Sequence, residues 1–157
     1  EENKKNLFNL ANETEDISYV KRLKKECNKS EWNKYVEKLI ANAIKNNWKA
    51  FVSRIYFNEE DYKRAYEYSK GMSETDYLEL LSIKLSKGHP DYSCQILKKL
   101  CFKNIGYGSG WPYKKAGELL KEIKRVNNSG SFFKKTKNEI ITEHKKKYSL
   151  MEIIEKI

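Results

Sequence analysis

The sequence is punctuated like a string of helices. Its two prolines each open a run of apolar residues spaced three and four apart, and six of its seven glycines fall between such runs. Proline at the first helical position fixes φ and gives up an amide that has no intrahelical partner there. Glycine just past the last turn is a favoured stop. The clearest run places Trp32, Tyr35, Val36, Leu39, Ile40 and Ala43 at i, i+3, i+4, i+7, i+8 and i+11, behind Ser30 as a candidate N-cap. Period-two alternation nowhere lasts long enough to compete. The pattern therefore predicts an all-α fold of about six to nine helices. Short links favour antiparallel neighbours, so the expected architecture is an irregular antiparallel helical hairpin stack.

The punctuation continues along the chain. Asn46-Asn47 marks a break before an apolar stretch over residues 48–57. Asn58 is expected to cap Glu59-Glu60-Asp61, acids that suit the positive end of a helix carrying Tyr62, Ala65 and Tyr66. Gly71 stops it. Ser73-Glu74-Thr75-Asp76 resembles a capping box ahead of Tyr77, Leu78, Leu80, Leu81 and Leu85. His89-Pro90 starts a helix with Tyr92, Ile96, Leu97, Leu100 and Cys101 inward. The Gly106-Tyr107-Gly108-Ser109-Gly110 loop separates it from one opening at Trp111-Pro112, with Tyr113, Ala116, Leu119, Leu120 and Ile123. Asn127-Asn128-Ser129-Gly130 closes that run, Ser131 opens a helix through Lys147, and Ser149 begins a short last one. Pairs recur at a spacing of roughly 30 residues, and Tyr62-x-x-Ala65 and Tyr113-x-x-Ala116 repeat a fragment of tetratricopeptide logic. The small residue lets helices approach closely. A tetratricopeptide-like α-solenoid is the expected form.

Composition limits the class. The 157 residues carry 32 Lys and Arg against 22 Asp and Glu, a formal +10, with 39% hydrophobic residues. A charged, apolar-poor chain can be disordered, but 13% aromatic residues supply large buried areas. One domain over residues 1–157 is the expectation at this length. No run approaches the roughly 18 apolar residues of a membrane span, and the charged N-terminus has no apolar core of a secretory leader. The start at Glu1-Glu2, without methionine, suggests a fragment of a longer protein. Cys27, Cys94 and Cys101 form an odd, widely spaced set, neither a disulfide framework nor a C-x-x-C ligand pair, which fits a reducing cytoplasmic setting.

A resemblance rests on motif order. Ser30-Glu31-Trp32-x-x-Tyr35, Trp48-Lys49-Ala50-Phe51 and Glu60-Asp61-Tyr62-Lys63-Arg64-Ala65-Tyr66-Glu67 come first. His89-Pro90, the helix from Tyr113 to Lys124, Phe132-Phe133, Ile140 through Lys147, and Ser149-Leu150-Met151-Glu152 follow. From about Ser30 to Ile157 this resembles the C-terminal helical region of bacterial SWIM zinc-finger proteins. The resemblance implies helical-repeat architecture and nucleic-acid or protein binding. The zinc module's C-x-C and C-x-H pairs are absent from the sequence, so no zinc is implied.

Catalytic signatures are missing. No serine sits in a nucleophile elbow and no Gly-Lys-Ser/Thr phosphate loop occurs. His89 before proline reads as a turn residue, and His144 between Glu143 and Lys145 as solvated. The Gly106 to Gly110 loop lacks a preceding strand and reads as a connector pinned by Trp111. The chain is therefore expected to be no enzyme, to use no cofactor or small-molecule substrate, and to act as a scaffold for a protein partner. Nucleic acid is the alternative partner. The candidate patch is Lys134, Lys135 and Lys137 with Lys145, Lys146 and Lys147, and Lys21-Arg22 with Lys24-Lys25 forms an earlier basic run. Lysines there could meet phosphates, although AT-rich coding, which also favours the plentiful asparagine, isoleucine and tyrosine, would supply lysine without a ligand.

Overall fold

A computed structural model describes residues 1–126 and 130–157. The expected stop at Asn127-Asn128-Ser129 lies outside the described residues. Helix makes up 82% of the structure and no strand occurs among the described residues, so the fold is all-α. Ten helices are present there: α1 Glu2–Thr14, α2 Ile17–Glu26, α3 Lys29–Lys45, α4 Lys49–Asn58, α5 Tyr62–Ser69, α6 Thr75–Gly88, α7 Pro90–Tyr107, α8 Trp111–Val126, α9 Ser131–His144 and α10 Tyr148–Ile154. The number exceeds the six to nine expected because α1 and α2 lack a dense apolar stripe. Each buries only two residues, Leu7 and Ala11 in α1, Val20 and Leu23 in α2.

The chain forms two compact units, Glu1–Met72 and Ser73–Ile157. In the first, α3 begins two residues earlier than Ser30 suggested. Asn28 is the N-cap and shares a capping box with Glu31. Glu31 also takes a hydrogen bond from Lys4 Nζ at 2.8 Å, which ties α1 to α3. Asn58 is the last residue of α4 and not a cap; Asp61 caps α5, accepting from the Arg64 amide at 3.0 Å. Asn47 breaks the helix as expected, with φ 60°. Trp32 is buried, and its Nε1 donates to Glu59 at 3.0 Å.

The second unit packs α6, α7 and α8 in succession, with α9 and α10 against α8 and each other. Pro90 opens α7 as expected, but Glu74 occupies the N-cap of α6 and its side chain makes no capping bond, so the Ser73 capping box does not form. Small polar groups join neighbouring helices to each other's backbone. Ser93 Oγ donates to the Ser82 carbonyl at 2.8 Å and Cys101 Sγ to the Ala116 carbonyl at 3.3 Å, as Ser53 Oγ does to Ala65 at 2.7 Å in the first unit. Such bonds satisfy groups that would otherwise be buried and unpaired. Both repeat alanines, Ala65 and Ala116, are fully buried as expected; Tyr113 is buried, Tyr62 only half so. Gly117 lies where α10 crosses α8, and a Cβ there would stand 2.6 Å from Ile153 Cγ2.

Candidate ligand-binding surfaces of the C-terminal unit

Most of the excess charge belongs to the second unit, with 17 Lys and Arg against 10 Asp and Glu, compared with 15 against 12 in the first. Two surfaces of that unit are shaped to receive something.

The first is the seam between α7 and α9. A groove of about 460 Å3 is lined there by Lys98, Lys99, Phe102, Phe132, Lys135 and Thr136. Lys98 pairs with Glu139 across the seam and lies 5.7 Å from the Phe102 ring, and the Phe102 and His144 rings are 6.1 Å apart. Residues rise in number together along both helices, so α7 and α9 run parallel. Thr136 is buried, and its Oγ1 has no hydrogen-bond partner among the described residues; His144 Nε2 shares that condition. His144 is therefore half-buried against Phe102 and not solvated as the sequence suggested.

The expected basic patch divides along α9. Lys134 and Lys135 are exposed near its start, with Lys137 half-buried, while Lys145 and Lys146 are exposed just past its end. Eleven residues of helix separate Lys134 from Lys145, about 16 Å. Lys147 is engaged internally. Its Nζ donates to the Ile105 carbonyl at 3.2 Å and lies 5.8 Å from the Tyr113 ring centroid. That contact brings the α9–α10 turn to the C-terminal end of α7 and the first turn of α8. In the first unit, Lys24 of the earlier basic run pairs with Glu59 at 2.9 Å.

The glycine loop is shorter than expected. Gly106 and Tyr107 belong to α7, leaving Gly108 and Gly110 at φ 104° and 81°, a left-handed region open to glycine. Trp111 does not pin this loop; it is 69% exposed. Tyr107 at 67% and Tyr148 at 80% share that exposure. Sequence reasoning missed these aromatics because exposure is a tertiary property.

The second surface is a groove of about 330 Å3 across α6, α7 and α8, with Ile83, Leu97 and Leu119 as apolar lining. Ile83 is 63% exposed, and Leu80, one turn earlier, adds to the apolar face. On its rim Glu79 pairs with Lys115 at 3.1 Å and Glu122 with Arg125 at 2.6 Å, while Glu118 has no partner among the described residues.

The buried thiols Cys94 and Cys101 offer no nucleophile at neutral pH. Burial pushes Cys94 up to about 11 and Cys101 up to about 12. No cluster of three His, Cys, Asp or Glu among the described residues could hold a metal ion, and no helix there is long and apolar enough to cross a membrane. Set against known proteins, the chain matches no family model, no curated protein and no solved structure.

Proposed function

We propose that this chain is a non-enzymatic helical-repeat scaffold that docks a helix of a protein partner in the α6–α8 groove. The carrying observation is that groove, where exposed Ile83 lies with Leu97 and Leu119 inside a charged rim, while exposed Leu80 extends the apolar face of α6 one turn away. Solvent-facing Leu and Ile at helical spacing suit an amphipathic helix with anchors at i, i+3 and i+4. Unpaired Glu118 on the rim complements a basic residue flanking those anchors.

The packing order supports the repeat reading. Within each unit, every extensive helix contact joins helices one or two apart along the chain, the near-neighbour layout of a stack. Parallel α7 and α9 with α8 packed on both are what a tetratricopeptide-like hairpin stack requires, and this supports the reading. The order of motifs also leads us to infer kinship with SWIM zinc-finger proteins. A C-x-C…C-x-H segment encoded immediately upstream in the full-length gene is expected; its absence would count against the kinship.

Partners captured by proximity labelling would be purified and titrated calorimetrically against the wild-type chain and Ile83→Asp. At least one helical partner should bind the wild type and lose affinity at least tenfold with the variant. If no purified partner discriminates the two, the docking reading fails. Concentration-dependent self-association abolished by Ile83→Asp would instead assign the groove to a second copy.

A further inference from the structure

We propose that the α7–α9 seam binds single-stranded nucleic acid. Its groove combines what a phosphodiester strand needs, ammonium groups for phosphates beside aromatic faces for bases. Lys98, Lys99 and Lys135 stand with half-buried Phe102 and Phe132, and Lys98 pairs with Glu139 across the seam. Lys135 has no ion-pair partner among the described residues. The groove volume, about 460 Å3, falls in the range of small-molecule sites and admits a nucleotide-sized group.

Two further observations point the same way. Thr136, 1% exposed, lines the groove with an Oγ1 that has no hydrogen-bond partner among the described residues, and a base edge offers it one. At the far end, the Lys147 contact with Ile105 gathers Tyr107, Trp111 and Tyr148 near Lys145 and Lys146. These are the three exposed aromatic side chains among the described residues, and all stand at this end of the unit. Large rings left in water beside lysines are what unpaired bases stack on. A duplex hides its base faces, so the surface favours a single strand. The seam shares no lining residue with the α6–α8 groove, so this inference stands independently of the docking one.

The test is fluorescence anisotropy of the full chain with a labelled oligouridylate of about a dozen nucleotides, a duplex of the same length, and vesicles of phosphatidylserine with phosphatidylcholine. At about 50 mM salt the single strand should bind saturably and more tightly than the duplex, weakening as salt rises. Tyr148→Ala, at an exposed position, should weaken binding about 5- to 150-fold. Lys135→Ala and Lys145→Ala should each flatten the log–log salt slope by about 0.7. Ile83→Asp should change nothing, so failure of the docking groove and failure of the seam are read separately. The proposal is overturned by absence of saturable binding at low salt, by equal binding of duplex, or by binding to vesicles alone. It is also overturned if Lys87→Ala on α6 matters as much as Lys145→Ala, which would reduce the effect to net charge.

Discussion

Replacing Gly117 by alanine tests the packing of α10 on α8. In an exposed helix interior this change would stabilise by about 1 kcal/mol, because glycine is a poor helix former. Here the new Cβ would meet Ile153 Cγ2 at 2.6 Å and Ile157 Cδ1 at 3.5 Å. The second contact is ordinary, while the first falls roughly 1 Å short of the optimal carbon–carbon separation. Ile153 is β-branched and stiff at χ1, so it cannot easily swing aside; α10 must retreat instead. Overpacking of this kind costs about 1–3 kcal/mol. Net of the helical gain, Gly117→Ala should destabilise by up to about 2 kcal/mol, a fall of several degrees in Tm for a unit of this size. The decisive assay is a double-mutant cycle by thermal melting. In an Ile153→Ala background the clash is gone and only the helical gain remains, so Gly117→Ala should there stabilise by about 1 kcal/mol. A rise in Tm for Gly117→Ala in the wild-type background would refute the reasoning.

Four other outcomes follow from local geometry. Thr136→Val removes a buried hydroxyl without a partner and should raise stability by about 1 kcal/mol or more in chemical denaturation; a loss would show that the hydroxyl is bonded. Iodoacetamide should label half-buried Cys27 in the native state and reach Cys94 and Cys101 only on unfolding. Because burial raises those two thiols above the usual 9.0, the unfolded chain releases their protons first, so stability should fall as pH rises from 9 toward 12. On the acid side, the Lys4 hydrogen bond and then the Asn28 amide hold Glu31 below its usual 4.5, and the Ser18 amide holds Asp16 below 3.8. Their contribution is complete above those values and is lost as pH falls through the lower folded ones, so melts should decline below about pH 4, less steeply in Glu31→Gln.

Much of the fold was legible because helix signals are local. Pro90 and the apolar stripes of α3, α6 and α8 are read within a few residues, since periodicity and capping act over one turn. The errors fall where two polar residues within one turn of each other compete for one role. Asn28 prevails over Ser30 at the start of α3, where Glu31 completes the box and also holds Lys4 from a separate helix. Asp61 prevails over Asn58 because α4 runs on to that residue. The N-terminal helices escaped because their stripes are thin and the lysines of α2 read as a charge cluster.

For the candidate surfaces the division is sharper. The sequence by itself determined that this chain is all-α, where most helices begin and end, and that lysine gathers at both ends of α9. Only the tertiary structure decided that Lys147 serves the end of α7 while Lys135 is left to solvent. It also decided that Lys98 and Phe102, more than thirty residues away, complete a groove with Lys135, and that Tyr107, Trp111 and Tyr148 face water. The reason is physical: a helix is specified by bonds and side-chain spacing within four residues, whereas which faces meet depends on packing between segments distant along the chain.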